Sequence, residues 1–158
     1  MQSLKPINIE TEQLTQKFDN DELDDYIKFI REKYSLNKKI LLVQVPQIQM
    51  QSFSDEIARA RSYYAFPPTG AQCIARALEK RGVQVEILDL NYELLKRVIN
   101  DKSFNHSDWL TILDDYLEKY NPSIIGTTCI NVCKLFEETN PFASLLEHIK
   151  QKKKYIVT

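Results

Sequence analysis

The stretch Lys39-Ile40-Leu41-Leu42-Val43-Gln44-Val45 decides the fold. Its apolar residues run on without polar alternation, as in a strand covered on both faces, and such strands belong to parallel sheets with helices on either side. Two further strands are read downstream, Val83 to Leu88 and Ser123 to Thr128, and Tyr155-Ile156-Val157 begins a fourth. Helical stripes separate them. Thr69 with Gln72 three residues on reads as an N-cap and capping box, followed by the stripe Ala71, Ile74, Ala75 and Leu78. Lys80 and Arg81 favour the negative end of that helix, and Gly82 supplies a left-handed residue to end it. Tyr92 to Ile99 is a second helix and Asp101 to Ser107 a loop. Trp109, Ile112, Leu113, Tyr116, Leu117 and Tyr120 mark a third helix, which ends before Asn121-Pro122. Phe142, Leu145, Leu146 and Ile149 mark the last, with lysines from Lys150 to Lys154 at its end.

Strands alternating with helices imply an α/β fold with right-handed crossovers. The expected architecture is a flavodoxin-like or Rossmann-like three-layer sandwich with a parallel sheet in strand order 2-1-3-4. In such sheets ligands bind beyond the carboxyl ends of the strands, where the strand order reverses. This predicts a site formed by Pro46 to Gly70 together with Thr127 to Cys133. Pro46 to Pro68 is long for a connection and has no strong period, which in a compact domain marks a functional loop. It allows a short helix around Ser54 to Tyr63. Residues 1–38 form an extension rich in charges and amides, and residues 39–158 the α/β domain. Within the extension, Asp19 or Asn20 can cap a helix whose stripe of Leu23, Tyr26, Ile27, Ile30 and Tyr34 would pack on the domain's outside. A strand only begun at Thr158 would leave an unpaired edge. The domain is therefore expected to be incomplete at its carboxyl end, with more protein beyond Thr158.

Composition narrows the function. With 21 basic against 22 acidic residues and a formal net charge of -1, no overall field recruits nucleic acid or an anionic membrane. Hydrophobic residues at 43% suffice for a real core. The longest apolar runs fall far short of the roughly 20 residues that span a bilayer, and Met1 to Glu10 lacks a signal-peptide core. The expected address is the cytoplasm, where Cys73, Cys129 and Cys133 would be thiols. Only Gly70, Gly82 and Gly126 are glycines, so a glycine-rich phosphate loop is excluded. His106 and His148 stand apart from each other and from any paired cysteine, which gives a zinc site no spacing and leaves them surface or structural. The carboxylates Glu22, Asp24, Asp25, Asp114, Asp115, Glu137 and Glu138 read as solvated faces. No catalytic residue is assigned.

The segment Pro67-Pro68-Thr69-Gly70, then Ile74-Ala75, Leu78 and Glu79-Lys80-Arg81-Gly82, carries the most specific pattern. Two prolines fix an extended approach, and Gly70 lets the first helical turn come close to another backbone or a ligand; the same residues also suit a plain capped helix. With Lys39-Ile40-Leu41-Leu42-Val43 before it, and Val85-Glu86-Ile87-Leu88-Asp89-Leu90-Asn91 and Pro122-Ser123-Ile124-Ile125-Gly126 after it, the order resembles the N-terminal cobalamin (B12)-binding domain of the radical SAM enzyme family. The resemblance covers Lys39 to Thr158. It implies a corrinoid cofactor contacted by Pro46, Gln47, Tyr64, Pro67, Pro68, Thr69, Gly70, Gly126, Thr127, Thr128 and Cys129. It also implies the domain's own C-terminal catalytic domain as partner. That domain would carry S-adenosylmethionine and a [4Fe-4S] cluster for methyltransferase or oxidative cyclase chemistry. The Asp-x-His-x-x-Gly motif of other corrinoid proteins is missing, so a corrinoid here would bind without a histidine ligand, against residues around Tyr63, Tyr64 and Phe66. Thr127 and Thr128 face the cofactor in that family, but threonine is equally an ordinary strand residue. Cys129-x-x-x-Cys133 resembles the start of a cluster loop and fails at Phe136, where a third thiolate is needed. The alternative function is a non-catalytic regulatory or protein-interaction module of the same fold that no longer binds cobalamin.

Overall fold

At the centre of the computed structural model, which describes residues 20–34, 36–48, 50–128, 140–152 and 156–157, lies β1 (Lys39–Gln44). It pairs in parallel with β2 (Gln84–Asp89) on one side and β3 (Ile124–Thr128) on the other. Leu41 sits beside Glu86 and Ile125, and Leu42 beside Ile87 and Gly126. Between β1 and β2 come α2 (Asp55–Arg59) and α3 (Thr69–Glu79); between β2 and β3 come α4 (Leu90–Asn100) and α5 (Leu110–Tyr120); α6 (Pro141–Lys152) follows. The chain divides into two units, Met1–Lys33 and Tyr34–Thr158. In the first, α1 (Asn20–Tyr34) exposes Tyr26 and Phe29, whose rings stack at 6.4 Å, with the Lys33 ammonium 5.5 Å from the Phe29 ring.

The expected four-stranded flavodoxin-like or Rossmann-like sandwich of order 2-1-3-4 is corrected. The described residues build a small sheet of three strands, β2-β1-β3. Ile156–Val157 adds only a two-residue parallel pairing to Ile124 and Ile125, too short to form a fourth layer-bearing strand. Right-handed crossovers explain where the helices go. The step from β1 to β2 and the step from β2 back past β1 to β3 run in opposite directions, so α3 falls on the face opposite α4 and α5, while the short α2 packs against α4. On one face Leu41, Val43, Leu88 and Ile125 pack with Leu94, Val98, Ile112, Leu113, Leu117, Leu145 and Ile149 from α4, α5 and α6, all buried. The other face, with Ile40 and Leu42, meets α3. One helix about 10 Å wide covers roughly two strands spaced about 4.8 Å apart. Among the described residues, that leaves the β3 side of this face open.

Local chemistry sets the boundaries. At α3 the capping box does not form: Pro68 is the N-cap, no side chain caps the helix, and Thr69 is already its first residue. The Thr69 amide is turned back onto the Pro67 carbonyl at 2.8 Å, which takes it into the helix. Gly82 does end the following turn with a left-handed φ of 75°. Asp89 starts α4 two residues earlier than the sequence pattern suggests, because its carboxylate accepts from the Asn91 and Tyr92 amides at 3.0 and 3.2 Å. Cys73, on α3, is exposed. It lies off the α3 stripe, of which only Ala75 is buried.

The two histidines, read from the sequence as surface or structural, and Asp114 and Asp115, read as solvated faces, take part in side-chain pairs. His106 Nδ1 lies 2.7 Å from Asp55, tying α2 to the turn before α5. Asp114 on α5 takes His148 Nε2 and Lys152 Nζ of α6, each at 2.8 Å. Partial burial opposes its charge, but the hydrogen bonds from Lys152 and His148 outweigh that and hold the Asp114 carboxyl below its ordinary range. Asp115 pairs with Arg97 at 2.7 Å. Glu137 and Glu138 lie outside the described residues.

Candidate functional site

The half-covered sheet face forms a groove of about 1040 Å³, at the upper end of ordinary ligand sites. Its floor is Ile40, Leu42 and Gln44 of β1 with Ile124 and Gly126 of β3. The parallel register puts these residues on the face away from α4, α5 and α6. Ala71, Ile74 and Leu78 of α3 make one wall, and Phe66 and Pro67 another. The open β3 side explains why Ile74, a stripe residue, keeps 48% of its surface exposed.

Polarity is concentrated at the carboxyl end of the strands. Gln44, Gln47, Thr69 and Thr127 line the groove there, beside the first turn of α3 and its partial positive charge. Gln44 is 9% exposed and donates from Nε2 to the Phe66 carbonyl at 3.0 Å. Asn91, buried beneath the same edge, accepts from the Gln47 amide and donates to the Val45 carbonyl at 3.2 Å. Thr127 pairs with Val43 across the ladder, and its buried hydroxyl has no hydrogen-bond partner among the described residues. Threonine hydroxyls apart, the lining holds no nucleophile, and it holds no carboxylate, amine or imidazole. The described part of the groove can bind and orient, and it supplies no general acid or base.

Of the residues named from the sequence, Gln47, Pro67, Thr69, Gly70, Gly126 and Thr127 meet in this lining. Pro46 is buried at the end of β1, and Pro68 caps α3, neither in the lining. Tyr64 stands 72% exposed at the rim, its ring edge-on to Phe66 at 4.7 Å. Thr128 aligns with Gln44 in the ladder; Cys129 and Cys133 lie outside the described residues. Gly70 makes no close approach, since an added Cβ would meet nothing within 4 Å. Sequence reasoning missed Gln44, whose signal was an amide inside an otherwise apolar strand, and it missed Ile40, Leu42 and Ile124. Those look identical to core residues until the cover over them is known.

Both histidines are engaged by carboxylates away from the groove, His106 by Asp55 and His148 by Asp114. No group of three or more His, Cys, Asp or Glu residues is placed to hold a metal ion among the described residues. No described helix is long and apolar enough to cross a membrane. Compared with protein-family models, with characterised proteins and with solved structures, the chain matches none.

Proposed function

We propose that this chain is a cytoplasmic, cobalamin-binding-like domain of a B12-dependent radical SAM protein, which holds a corrinoid without a histidine ligand and presents it to a catalytic domain elsewhere. The observation that supports this most is the meeting of the Pro67–Gly70 helix start with Gly126 and Thr127 in one groove at the carboxyl ends of β1 and β3. The lining suits the group. Aliphatic floor residues and a glycine accommodate a flat apolar macrocycle, while Gln44, Gln47 and Thr69 offer hydrogen bonds to its polar rim. Phe66 and Pro67 would lie against it in place of an imidazole. When bound, a corrinoid supplies a cobalt centre that carries a methyl group. This chain's residues would bind it, orient it and keep water from its apolar face.

A second reading, a protein-interaction module, draws on the open apolar face and on the exposure of Phe66 and Ile74 beside it. One experiment separates the two. The protein is mixed with hydroxocobalamin, desalted, and its visible spectrum recorded. Stoichiometric retained corrinoid absorbance supports the first reading, and its loss in a Gly126→Leu variant would locate the binding. No retained absorbance removes the corrinoid reading and leaves the interaction module.

A further inference from the structure

The stretch from Tyr64 to Pro67 is attached differently from the rest of its loop. Where the loop leaves β1 it is anchored by Asn91, on the Val45 carbonyl and the Gln47 amide. Its middle is docked through buried Phe53 and Ala58, through the Arg59 guanidinium on the Val98 carbonyl, and through Asp55 on His106. Arg61 then takes a left-handed conformation, φ 56°. Tyr63 is still held, its ring 5.2 Å from Phe53 and its hydroxyl accepting from the Ser54 amide at 3.0 Å. Beyond Tyr63 the anchors stop. Among the described residues, Tyr64, Ala65 and Phe66 make one hydrogen bond, from Gln44 Nε2 to the Phe66 carbonyl. Tyr64 is 72% and Phe66 59% exposed. Pro67 and Pro68 then stiffen the approach to α3.

We infer that Tyr64–Pro67 is a movable aromatic strap forming one wall of the groove, and that the Gln44 amide is the latch that positions it. An amide buried in an apolar strand is costly unless it is bonded. Gln44 meets that cost by reaching a carbonyl 22 residues away, on the stretch Tyr64 to Phe66, which makes no other hydrogen bond among the described residues. The strap starts just beyond the anchored Tyr63 and has a stiff end at the prolines. Its two rings, in edge-to-face contact, keep most of their surface in solvent at the rim of an apolar groove, so swinging over an occupant would bury them. Gln44 is thus a positioning residue, acting on the groove through Phe66. The inference does not depend on which ligand fills the groove.

Limited proteolysis of the full chain with chymotrypsin, which cuts after aromatic residues, tests it. The reporter is cleavage between Tyr64 and Ala65, since the proline after Phe66 blocks the neighbouring bond. Tyr92 in α4, 56% exposed, is the internal reference. When opening is fast, cleavage tracks the open population. Loss of one hydrogen bond of ordinary net strength raises that population about fivefold. Gln44→Met, close in shape but without a donor, and Gln44→Leu should each be cut about fivefold faster after Tyr64 with cleavage after Tyr92 unchanged. In the unmutated protein, the amides of residues 64–66 should exchange with deuterium at least about tenfold faster than the bonded Gln47 amide. Equal cleavage after Tyr64 in all three proteins overturns the inference. So does a matching rise after Tyr92, which reports general loosening, or equal exchange across the two segments.

Discussion

Asn91 is the residue through which the carboxyl edge of the sheet can be tested most directly. It is 7% exposed, accepts from the Gln47 amide and donates to the Val45 carbonyl. Asn91→Ala strips a partner from each. Val45 is buried, so its carbonyl left without a donor costs about 1–3 kcal/mol. Gln47 is exposed and its amide can turn to water, which adds little. The small void left by the missing amide contributes roughly 1 kcal/mol more, giving about 2–4 kcal/mol in all. The assay is urea unfolding followed by the fluorescence of Trp109, the chain's single tryptophan, 4% exposed in the core. Asn91→Asp refines the test. It keeps the acceptor for Gln47 but sets a carboxylate oxygen against the Val45 carbonyl, so it should be destabilised at neutral pH and recover in acid, where a protonated carboxyl can donate again. An Asn91→Ala cost below about 0.5 kcal/mol would refute the assignment of Asn91 as the buried anchor of this edge.

Leu94→Ala should cost about 2–5 kcal/mol, as for any fully buried leucine, whereas Ile74→Ala, half exposed over the groove, should cost under about 1 kcal/mol; thermal unfolding compares them. The two helix-flanking glycines should respond with opposite signs: Gly82→Ala, forced into a left-handed φ, loses about 1–2 kcal/mol, and Gly70→Ala, with open space for its methyl, gains about 0.5–1 kcal/mol. Asp114 has a carboxyl pKa lowered below 3.8, so its stabilisation is fully present above that value and is lost as pH falls through the folded one. Asp114→Asn should therefore destabilise at neutral pH, by less than about 1 kcal/mol because the side chain is 37% exposed, and the difference from wild type should vanish in strong acid. A pH-independent difference would count against the α5–α6 ion pairs as its source.

Much of the local structure was legible in the chain. The runs at Lys39–Val45, Val83–Leu88 and Ser123–Thr128 fall within a residue or so of β1, β2 and β3; the central β1 shows the unbroken apolar run of a strand covered on both faces, and β2 alternates with exposed Gln84 and Glu86. The helix ends at Gly82 and Asn121 were legible too, since both residues adopt left-handed conformations. Side-chain partnerships were not. Asp55 finds His106 across 51 residues and Asp114 finds His148 across 34, distances over which sequence carries no pairing signal. The capping box at Thr69 fitted a pattern, but the backbone of Pro67 and Pro68 had already made the cap.

The site divides along the same line. Sequence alone determined that a long, proline-ended loop would sit at the carboxyl ends of parallel strands, and it supplied Gln47, Pro67, Thr69, Gly70, Gly126 and Thr127 to that edge. Tertiary structure alone decided that the described residues build three strands with a two-residue pairing beyond, and that the groove runs down the face of β1 and β3. The physical reason is coverage. An apolar strand encodes the need to be covered but not what covers it, and among the described residues crossover handedness left one helix to shield a face too wide for it.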